Sequence, residues 1–242
     1  MSILFSSNSE QKDYVYRRMV KYYPNFISGG KIYLNTLNKI IANNSIVLDV
    51  GCGTGGLIEK IKEKPKEIIG LDIDHQALSK NNFITKKILS SAESVPLPEK
   101  SIDVVTAEFV IEHLENPNKV FKEIYRLLKT NGSFVFITPN IKNPLMLLSK
   151  YTPPWLHQAY RQGLLKKSDQ IYRTYYRVNT YKQLGDLAYQ AGFTTSRLAL
   201  AGNPEYLSIA KPLVTPVIIF EREIFGKRLI NSRMYLIGRF IK

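Results

Sequence analysis

The spacing of hydrophobic and polar residues changes along the chain, and it predicts an order of helices and strands. Apolar residues at intervals of three and four predict helices over Glu10–Tyr23 and Lys31–Asn43. From residue 45 onward, short β-branched runs alternate with amphipathic stretches. The runs predict strands at Ser45–Val50, Glu67–Asp72, Lys87–Ser90, Ile102–Ala107 and Ser133–Thr138, and the stretches predict helices at Gly56–Lys64, Asp74–Lys80 and Asn116–Lys129. Strands that alternate with helices indicate parallel pairing, so the expected fold class is α/β with a doubly wound sheet.

The regular alternation ends at Pro139, and two insertions are predicted in the rest of the chain. The first is rich in Tyr, Arg, Lys and Pro and is expected to form irregular structure with short helices. Order returns with a helix from the N-cap Thr180 to Gln190, which Gly192 ends. A strand over Thr194–Ala201, a helix opened by Thr215-Pro216 that runs to Phe225 with Gly226 as its stop, and a last strand over Arg233–Ile241 complete the pattern.

The length of the chain favours one domain. Its 242 residues are about one and a half times a typical domain of ~150 residues. We therefore expect a single domain over residues 1–242. Its expected parts are N-terminal helices in 1–44, a core over 45–139 and 179–202, insertions at 140–178 and 203–231, and a final strand in 232–242.

Composition excludes several classes of protein. A content of 44% hydrophobic and 22% charged residues is typical of a globular protein and excludes disorder and collagen-like structure. The single cysteine, Cys52, excludes an internal disulfide framework and a multi-cysteine zinc site. The longest nearly apolar run, Pro212–Phe220, is far shorter than the ~20 residues that cross a bilayer. The first residues contain no export signal, so a cytoplasmic location is expected.

Positive charge is concentrated in the C-terminal part of the chain. The net charge is +14, from 34 Lys and Arg against 20 Asp and Glu. Residues 1–138 contain 18 basic and 15 acidic residues, whereas residues 139–242 contain 16 and 5. This asymmetry indicates an anionic partner and leaves open a membrane surface, a nucleic acid or an acidic small molecule, beside a merely solvated basic surface.

A glycine-rich sequence follows the first predicted strand. From Asp49 to Gly56 it reads Asp-Val-Gly-Cys-Gly-Thr-Gly-Gly, and glycines at a strand-to-helix turn let a ligand approach backbone N–H groups closely. Asp72, at the end of the second strand, has the position of a ribose-binding acid, so a nucleotide-type ligand is expected. Asp49 separates the alternatives, because a carboxylate there disfavours a pyrophosphate and favours the ammonium and sulfonium charges of S-adenosylmethionine.

Four segments of the chain resemble one family. They are Val47–Gly56, Ile69–Asp74, Ala92–Val105 and His113–Asn140, the last of which includes Phe-Lys-Glu-Ile-Tyr-Arg-Leu-Leu-Lys and Phe-Val-Phe-Ile-Thr-Pro-Asn. With these segments the sequence resembles the class I S-adenosylmethionine-dependent methyltransferases, in particular a small-molecule branch that includes quinone-biosynthesis enzymes. The resemblance implies a Rossmann-like, seven-stranded, mostly parallel sheet with helices on both faces and an antiparallel last strand.

The same resemblance implies roles for individual residues. Gly51, Gly53 and Gly55 would hold the methionine end of S-adenosylmethionine, with Asp49 ordering the loop and binding the amino group. Asp72 would bind the ribose hydroxyls. The other expected cofactor-binding positions are Ile73 and Ala92 beside the adenine, Ser91, and Glu108 after the fourth strand. Family members commonly have an acidic residue where this chain has a serine before the alanine, so weaker adenine recognition is expected.

Methyl transfer from S-adenosylmethionine is an in-line displacement that requires a well-placed acceptor and no metal ion. The expected acceptor is a small or lipid-linked molecule that is methylated on oxygen or carbon. The two insertions and the N-terminal helices are expected to form a lid over it. An oxygen acceptor also needs a base, and His113, after the fourth strand, is the best candidate. The alternative role of His113 is capping or packing at the next helix.

Two alternative functions remain open from the sequence. Methylation of nucleic-acid bases is disfavoured, because family resemblance implies a polar-Pro-Pro-aromatic motif for base-methylating enzymes and Thr106–Phe109 lacks it. An RNA 2′-hydroxyl methyltransferase, which would explain the basic charge, stays open as the alternative. A non-catalytic membrane-surface protein with this fold would explain an apolar segment beside basic residues, which comprises Val217–Phe220, Ile224, Phe225, Lys227, Arg228 and Arg233. Contact with an anionic membrane, and with it a location peripheral to the membrane, is also compatible with catalysis.

Overall fold

A seven-stranded sheet lies at the centre of the structure, a computed structural model that describes residues 9–61, 65–151, 172–207 and 211–242. Its strands are β1 (Ile46–Val50), β2 (Glu67–Asp72), β3 (Lys86–Leu89), β4 (Ile102–Glu108), β5 (Leu128–Pro139), β6 (Thr195–Ala201) and β7 (Tyr235–Ile241). They lie in the order β3-β2-β1-β4-β5-β7-β6. The neighbours from β3 to β5 pair in parallel, and β7 is antiparallel to both β5 and β6. The predicted doubly wound sheet with an antiparallel last strand is confirmed.

Helices flank the sheet and extend the chain beyond it. They are α1 (Ser9–Tyr22), α2 (Gly29–Ile40), α3 (His75–Lys80), α4 (Pro117–Leu127), α5 (Pro144–Tyr151), α6 (Tyr181–Ala191), α7 (Lys211–Phe220) and a π-helix over Glu221–Arg228. The predicted caps of α6 are confirmed, since the Thr180 side chain accepts from a backbone N–H and Gly192 has a φ of 104°. Within the described ranges, no helix is both long enough and apolar enough to cross a membrane.

Apolar side chains cover both faces of the sheet, as the alternation along β5 shows. Phe134 and Phe136 belong to one buried cluster, which includes residues of α4 and α6. Val135 and Ile137 belong to another cluster, to which α2 contributes Leu37. Because successive strand residues point to opposite faces, the two clusters lie on opposite sides of the sheet. The sheet is therefore rigidly packed, and its strand ends are free to carry chemistry.

Two predicted helices are shorter in the structure. The helix expected over Gly56–Lys64 is a 3₁₀ turn over Leu57–Lys60, and residues 62–64 lie outside the described part of the chain. Glycines before this turn and Pro65 after it leave too few residues to propagate an α-helix. The helix expected to end at Lys129 ends two residues earlier, because Leu128 is extended and already pairs with β4.

The helix predicted from Thr215 to Phe225 begins and ends elsewhere. α7 starts at Lys211, so Pro216 lies inside the helix and Pro212 occupies its first turn, where a missing N–H costs nothing. Gly226 does not stop the helical turns, which continue as the π-helix to Arg228. A Cβ at Gly226 would come within 2.8 Å of the Tyr23 hydroxyl oxygen, so this glycine permits close packing against α1 and the chain that follows it.

Candidate cofactor and active site

The glycine-rich loop follows β1 and turns toward β2. The N–H of Gly51 donates to the carbonyl oxygen of Leu71 at 2.7 Å. Gly51, Gly53 and Gly55 have φ values of 66, 48 and 129°, in the left-handed region that favours glycine. A Cβ at Gly51 would overlap Val110, whereas a Cβ at Gly53 would meet no atom within 4 Å. The loop is packed against protein at its first glycine and borders open space at its second, as a ligand cradle requires.

Asp72 ends β2 and binds the same loop. One of its carboxylate oxygens accepts from the N–H of Gly53 and the other from the N–H of Asp74, each at 2.8 Å. An ionised carboxylate has about four acceptor positions, so about two remain for ligand hydroxyls. Ile73 beside it is 70% exposed. The expected ribose-binding and adenine-lining residues therefore lie next to the loop, and their ligand contacts remain predictions.

Asn81 also holds the loop, and the sequence pattern did not reveal it. Its side-chain NH₂ group donates to the carbonyl oxygens of Cys52 and Gly53, at 3.3 and 3.2 Å. Its side-chain oxygen accepts from the N–H groups of Phe83 and Ile84. Asn81 is buried, and it satisfies four backbone groups at once. An asparagine at the end of a short helix ordinarily marks a helix cap, so its contact with a loop 28 residues away could not be predicted from the sequence pattern.

Two buried carboxylates lie at the carboxyl ends of β1 and β4. Asp49 pairs in register with Thr106, whose hydroxyl donates to it at 2.7 Å. Burial raises the pKa of Asp49 to about 7, and the negative charges of Glu108 and Asp72 contribute to the increase. Glu108 accepts from the N–H of Leu57 at 2.6 Å, and burial raises its pKa as well. The ammonium and sulfonium groups of S-adenosylmethionine would bring positive charge to these two buried carboxylates and favour their ionised forms.

Tyr33 of α2 reaches the same buried region. Its side chain is fully buried, and its hydroxyl has no hydrogen-bond partner among residues 9–61, 65–151, 172–207 and 211–242. Burial, followed by the charges of Asp49 and Glu108, raises the pKa of this hydroxyl well above its ordinary value, against an opposing effect of the nearby Thr106 side chain. Orphaned buried hydroxyls are rare in native proteins, so this one indicates a polar ligand nearby. In sequence Tyr33 stands in an apolar stripe, where an aromatic residue ordinarily serves packing.

The cysteine of the loop is not a nucleophile. Cys52 is buried, and burial followed by the charges of Asp49 and Asp72 raises the pKa of its thiol to about 12. The thiol therefore stays protonated at neutral pH, and protonated thiols react slowly. Its sulfur packs against Gly70, since a Cβ added at that glycine would come within 2.8 Å of the sulfur atom. Cys52 therefore fills space in the core, as a small apolar side chain does.

The loop after β3 lies beside the end of β2. The N–H of Ser90 donates to the carbonyl oxygen of Asp72 at 3.1 Å. Ser91 is exposed, and its hydroxyl oxygen accepts from the N–H of Glu93 at 3.2 Å. Ala92 is half-buried against the core. The Ser91 oxygen therefore already serves a local turn, and the expectation of weak adenine recognition remains a prediction.

His113 lies on the loop after β4, in a 3₁₀ turn over Ile111–His113. Its Nδ1 atom is 2.8 Å from the carbonyl oxygen of Arg173. Because a carbonyl oxygen only accepts hydrogen bonds, Nδ1 carries the proton, and Nε2 of the neutral ring holds the lone pair. His113 is thus oriented in the tautomer that a general base needs.

Residues 172–176, which we call the strap, connect the loops after β2 and β4. The Tyr172 hydroxyl donates to the Asp74 carboxylate, and this hydrogen bond lowers the pKa of that carboxyl group. Farther along the strap, the N–H of Tyr175 donates to the carbonyl oxygen of Glu112 at 2.8 Å. Together with the bond to the histidine ring, these contacts carry the chain across the edge of the sheet. The strap belongs to the predicted first insertion, and the expectation of a lid remains a prediction.

The strand order brings the expected cofactor residues to one edge. β1 has β2 on one side and β4 on the other, and ligands of doubly wound sheets bind at the carboxyl ends of strands where the order reverses. We call this region the cofactor edge; it comprises Asp49, Gly51, Gly53, Gly55, Asp72, Ile73, Ser91, Ala92 and Glu108. Three features suit S-adenosylmethionine. They are the open space beside Gly53, the free acceptor positions of Asp72, and the buried carboxyl groups of Asp49 and Glu108.

Comparisons with known proteins agree with this geometry. Residues 48–136 match a family model described as a methyltransferase domain. The chain is 29% identical over 168 residues to a ubiquinone biosynthesis O-methyltransferase of Pseudomonas fluorescens (strain SBW25), a match that covers 65% of this chain and 68% of the relative. It is 32% identical over 126 residues to a malonyl-[acyl-carrier protein] O-methyltransferase of Marinomonas sp. (strain MWYL1), covering 48% of this chain and 47% of that relative. The match thus spans about half the length of the second relative.

A solved structure shares the fold. A SAM-dependent methyltransferase from Archaeoglobus fulgidus superposes with a TM-score of 0.56 at 17% identity, covering 95% of this chain and 100% of that one. At this identity the likeness concerns the fold alone. The family model and the two relatives indicate a methyltransferase, and the shared fold is consistent with that family.

Proposed function

This chain belongs to the class I S-adenosylmethionine-dependent methyltransferases, and on that basis we propose that it transfers a methyl group to an oxygen atom of a small acceptor. The observation that carries the proposal is the 2.8 Å contact between Nδ1 of His113 and the carbonyl oxygen of Arg173, which assigns the ring proton to Nδ1 and the lone pair to Nε2. His113 lies on the loop that follows β4, five residues after Glu108 of the cofactor edge. An oxygen acceptor gives up a proton and needs such a base. The two relatives that are named O-methyltransferases support the same accepting atom.

The cofactor is S-adenosylmethionine, which supplies a methyl group activated by a positively charged sulfur. We assign its binding to the cofactor edge. The N–H groups of the glycine loop would receive its carboxylate, and the free acceptor positions of Asp72 would receive ribose hydroxyls. Asp49 and Glu108 would ionise beside its positive charges. Tyr33 brings a hydroxyl that no described residue satisfies.

His113 acts on the acceptor. Its Nε2 takes the proton of the acceptor hydroxyl while that oxygen forms a bond to the methyl carbon and the carbon–sulfur bond breaks. The products are the methylated acceptor, S-adenosylhomocysteine and a protonated histidine. The carbonyl oxygen of Arg173 stabilises the protonated ring through Nδ1–H. The neighbouring Glu112, which is buried, interacts electrostatically with the ring and contributes in the same direction.

We further infer that the acceptor carries an apolar part. α5 follows β5, and because β5 is parallel to β4 its carboxyl end lies at the same edge of the sheet as the cofactor loop. Leu147 and Leu148 of α5 are both exposed there. Exposed leucines beside an active site offer a surface to an aliphatic or prenyl chain. A lipid-linked hydroxyl compound therefore suits this edge better than a free polar metabolite.

The test begins with methyl transfer from labelled S-adenosylmethionine to lipid extracts, phenols, sugars and RNA. With the acceptor that reacts, His113→Asn should lower turnover by about 10²–10⁴-fold while cofactor affinity, measured by calorimetry, stays nearly unchanged. Glu115→Gln, an exposed change on the same loop, is the matched control and should retain turnover. A ¹⁵N NMR spectrum of the histidine ring should report the Nδ1–H tautomer at pH 8.

Three outcomes would overturn parts of this proposal. A loss below about tenfold for His113→Asn would remove its role as base and leave it a packing role. Methylation of RNA in preference to every small acceptor would replace the acceptor class. No calorimetric heat with S-adenosylmethionine would remove the cofactor sites assigned at the cofactor edge.

A further inference from the structure

The outward face of α7 is apolar, although the helix lies at the protein surface. No charged residue stands between Lys211 and Glu221. Val214 and Ile218 face inward and are fully buried in a cluster shared with α1. Facing outward, Leu213, Ile219 and Phe220 are 46%, 37% and 49% exposed. A helix that is apolar on all sides is ordinarily buried, so this exposed face needs a covering.

Two more exposed apolar residues follow the π-helix in the chain. Leu229 and Ile230 are each 48% exposed. We call the exposed apolar residues of this stretch the α7 surface; they are Leu213, Ile219, Phe220, Leu229 and Ile230. The ten residues of α7 span about 15 Å, half of a hydrocarbon core of ~30 Å. Such a helix is too short to cross a bilayer, and its length suits the interfacial layer.

Basic residues border the α7 surface. Lys211 precedes it, and Lys227 and Arg228 stand just before Leu229, all three exposed. The acidic residues of the same stretch are engaged within the protein. Glu223 binds Arg222 at 2.6 Å and Lys227 at 2.8 Å, and Glu221 is buried.

Helix α1 adds positive charge beside α7. Lys211, at the start of α7, lies 5.9 Å from the ring centroid of Tyr14 near the start of α1. Arg222, just after α7, donates to the carbonyl oxygen of Tyr22 at the end of α1, at 2.7 Å. The two helices therefore run parallel and side by side. Residues 13–22 and 211–230 together contain seven basic and three acidic residues.

We propose that the α7 surface docks this protein on an anionic lipid bilayer, with the apolar side chains in the interfacial layer and the flanking basic residues on the lipid headgroups. Charge complementarity selects this occupant, because a second copy of the chain would bring two positively charged surfaces face to face. The proposal goes beyond methyl transfer and stands whether or not the acceptor is lipid-linked. It requires no cofactor, so its test is separate from that of the catalytic function.

The test is sedimentation of the full chain with vesicles of phosphatidylcholine alone or with about 30% phosphatidylglycerol, at about 0.15 M and 0.5 M salt. Binding is expected to the anionic vesicles at low salt, and to weaken at least about fivefold at high salt. The double variant Leu213→Ser/Phe220→Ser and the double variant Lys227→Glu/Arg228→Glu should each lose about tenfold or more in affinity.

Matched controls separate this surface from general properties of the protein. Tyr189→Ser, which removes an exposed aromatic residue of α6, and Lys119→Glu/Lys122→Glu, which reverses two charges on α4, should each change affinity less than about twofold. Unchanged thermal unfolding and cofactor binding of the Leu213→Ser/Phe220→Ser variant would exclude misfolding as the cause of its loss.

Four results would overturn the proposal. They are no binding to anionic vesicles, equal binding to neutral and anionic vesicles, displacement from vesicles by RNA at matched phosphate concentration, and a dimer in analytical ultracentrifugation that Leu213→Ser/Phe220→Ser dissociates. The third result would assign the basic surface to nucleic acid, and the fourth would assign the apolar face to a second copy.

Discussion

The cofactor edge and the α7 surface place polar and apolar side chains in opposite ways. At the cofactor edge the carboxyl group of Asp49 is buried, and the Tyr33 side chain beside it is buried as well. At the α7 surface, Leu213 and Phe220 are exposed. A buried polar group costs free energy unless something pairs with it, and an exposed apolar patch costs free energy unless something covers it. Each region therefore has an incomplete environment that a binding partner completes, a small cation in one case and a lipid surface in the other.

The two regions also differ in the sign of their charge. Asp49, Asp72 and Glu108 converge on the cofactor edge. Burial raises the pKa of Asp49 and of Glu108, and the negative charges of Glu108 and Asp72 raise that of Asp49 further. Around the α7 surface, basic residues outnumber acidic ones, and most of the basic residues are exposed. A buried charge responds strongly to a single neighbour, whereas exposed charges act together and are screened by salt. The cofactor edge is thus built for one specific ligand, and the α7 surface for a diffuse anionic one.

The largest effect is expected for Gly51→Ala. A Cβ there adopts an unfavourable positive φ and overlaps Val110, so the free energy of unfolding should fall by about 2–4 kcal/mol. Gly53→Ala is the matched variant, since only the φ penalty of about 1 kcal/mol applies where the Cβ meets open space. Urea unfolding measures both changes, and calorimetry with S-adenosylmethionine should show that the second variant also binds at least about tenfold more weakly.

The pair of glycine variants also tests the location of the cofactor. If Gly53→Ala binds S-adenosylmethionine as tightly as the wild type, then the open space beside that glycine does not hold the ligand. Equal losses of stability in the two variants would mean that the contact with Val110 has no energetic weight.

The second prediction concerns Asp49→Asn and pH. The pKa of Asp49 is about 7 in the folded protein, whereas its ordinary value is 3.8. Between pH 3.8 and 7, Asp49 is therefore protonated in the folded protein and ionised in the unfolded chain. The stability of the wild type should therefore fall as pH rises from about 4 to 7. Asparagine keeps an oxygen for the Thr106 hydroxyl and does not ionise. Relative to wild type, the variant should gain about 1–4 kcal/mol between pH 4 and 8, measured by urea unfolding.

Cofactor binding should reverse the advantage of that variant. Positive charge beside Asp49 favours its ionised form, so binding of S-adenosylmethionine to the wild type at pH 6 should release a proton, seen by calorimetry in buffers of different ionisation enthalpy. Asp49→Asn should release less and bind about tenfold or more weakly. Identical pH profiles of stability for the two proteins would contradict the buried, uncompensated state of this carboxyl group.

Glu221→Gln makes the equivalent change in the layer beneath the α7 surface. Burial raises the pKa of Glu221 to about 7, against an opposing effect of Arg233. The free energy of unfolding of the wild type should again decrease as pH rises from about 4.5 to 7. In the variant this decrease should be smaller by about 1–3 kcal/mol, because glutamine does not ionise. Affinity for S-adenosylmethionine should stay unchanged, in contrast to Asp49→Asn. A loss of cofactor binding in Glu221→Gln would show that the two regions are coupled.

The sheet and the glycine loop were predictable because their signals are local. Short β-branched runs and the Asp49–Gly56 loop have spacings that few other structures produce, and strand positions were accordingly correct to within a few residues, apart from the earlier start of β5. The boundary of α7 was wrong because Thr215-Pro216 imitates a helix start while Pro212 already occupies one. Competing local signals of this kind are resolved only by packing.

The partners of the loop were not predictable because they come from distant positions. Asn81 reaches a loop 28 residues earlier in the chain, and the bond between Tyr172 and Asp74 spans 98 residues. The pattern along α2 did not single out Tyr33, which the structure shows to be buried. The sequence likewise left open which face of α7 is buried, since both faces are apolar. Long-range contacts and exposure follow from the fold, and no periodicity reports them.

The smallest effect, and a test of sign, comes from two buried tyrosines, Tyr33 beside the cofactor edge and Tyr235 on β7, which differ in the hydrogen bonding of their hydroxyls. Tyr33→Phe removes a hydroxyl that has no described partner, so stability without cofactor should rise by about 0.5–1 kcal/mol. Tyr235→Phe, on β7, removes the acceptor of a 2.9 Å hydrogen bond from Asn203, and stability should fall by about 0.5–1.5 kcal/mol. Urea unfolding of both variants and the wild type in one buffer measures the sign and size of the two changes in stability. Two losses of equal size would show that the Tyr33 hydroxyl is already satisfied without a ligand. A gain for Tyr33→Phe that shrinks when S-adenosylmethionine is present would identify this hydroxyl as part of the cofactor site, because a ligand that contacts the hydroxyl stabilises the wild type more than the variant.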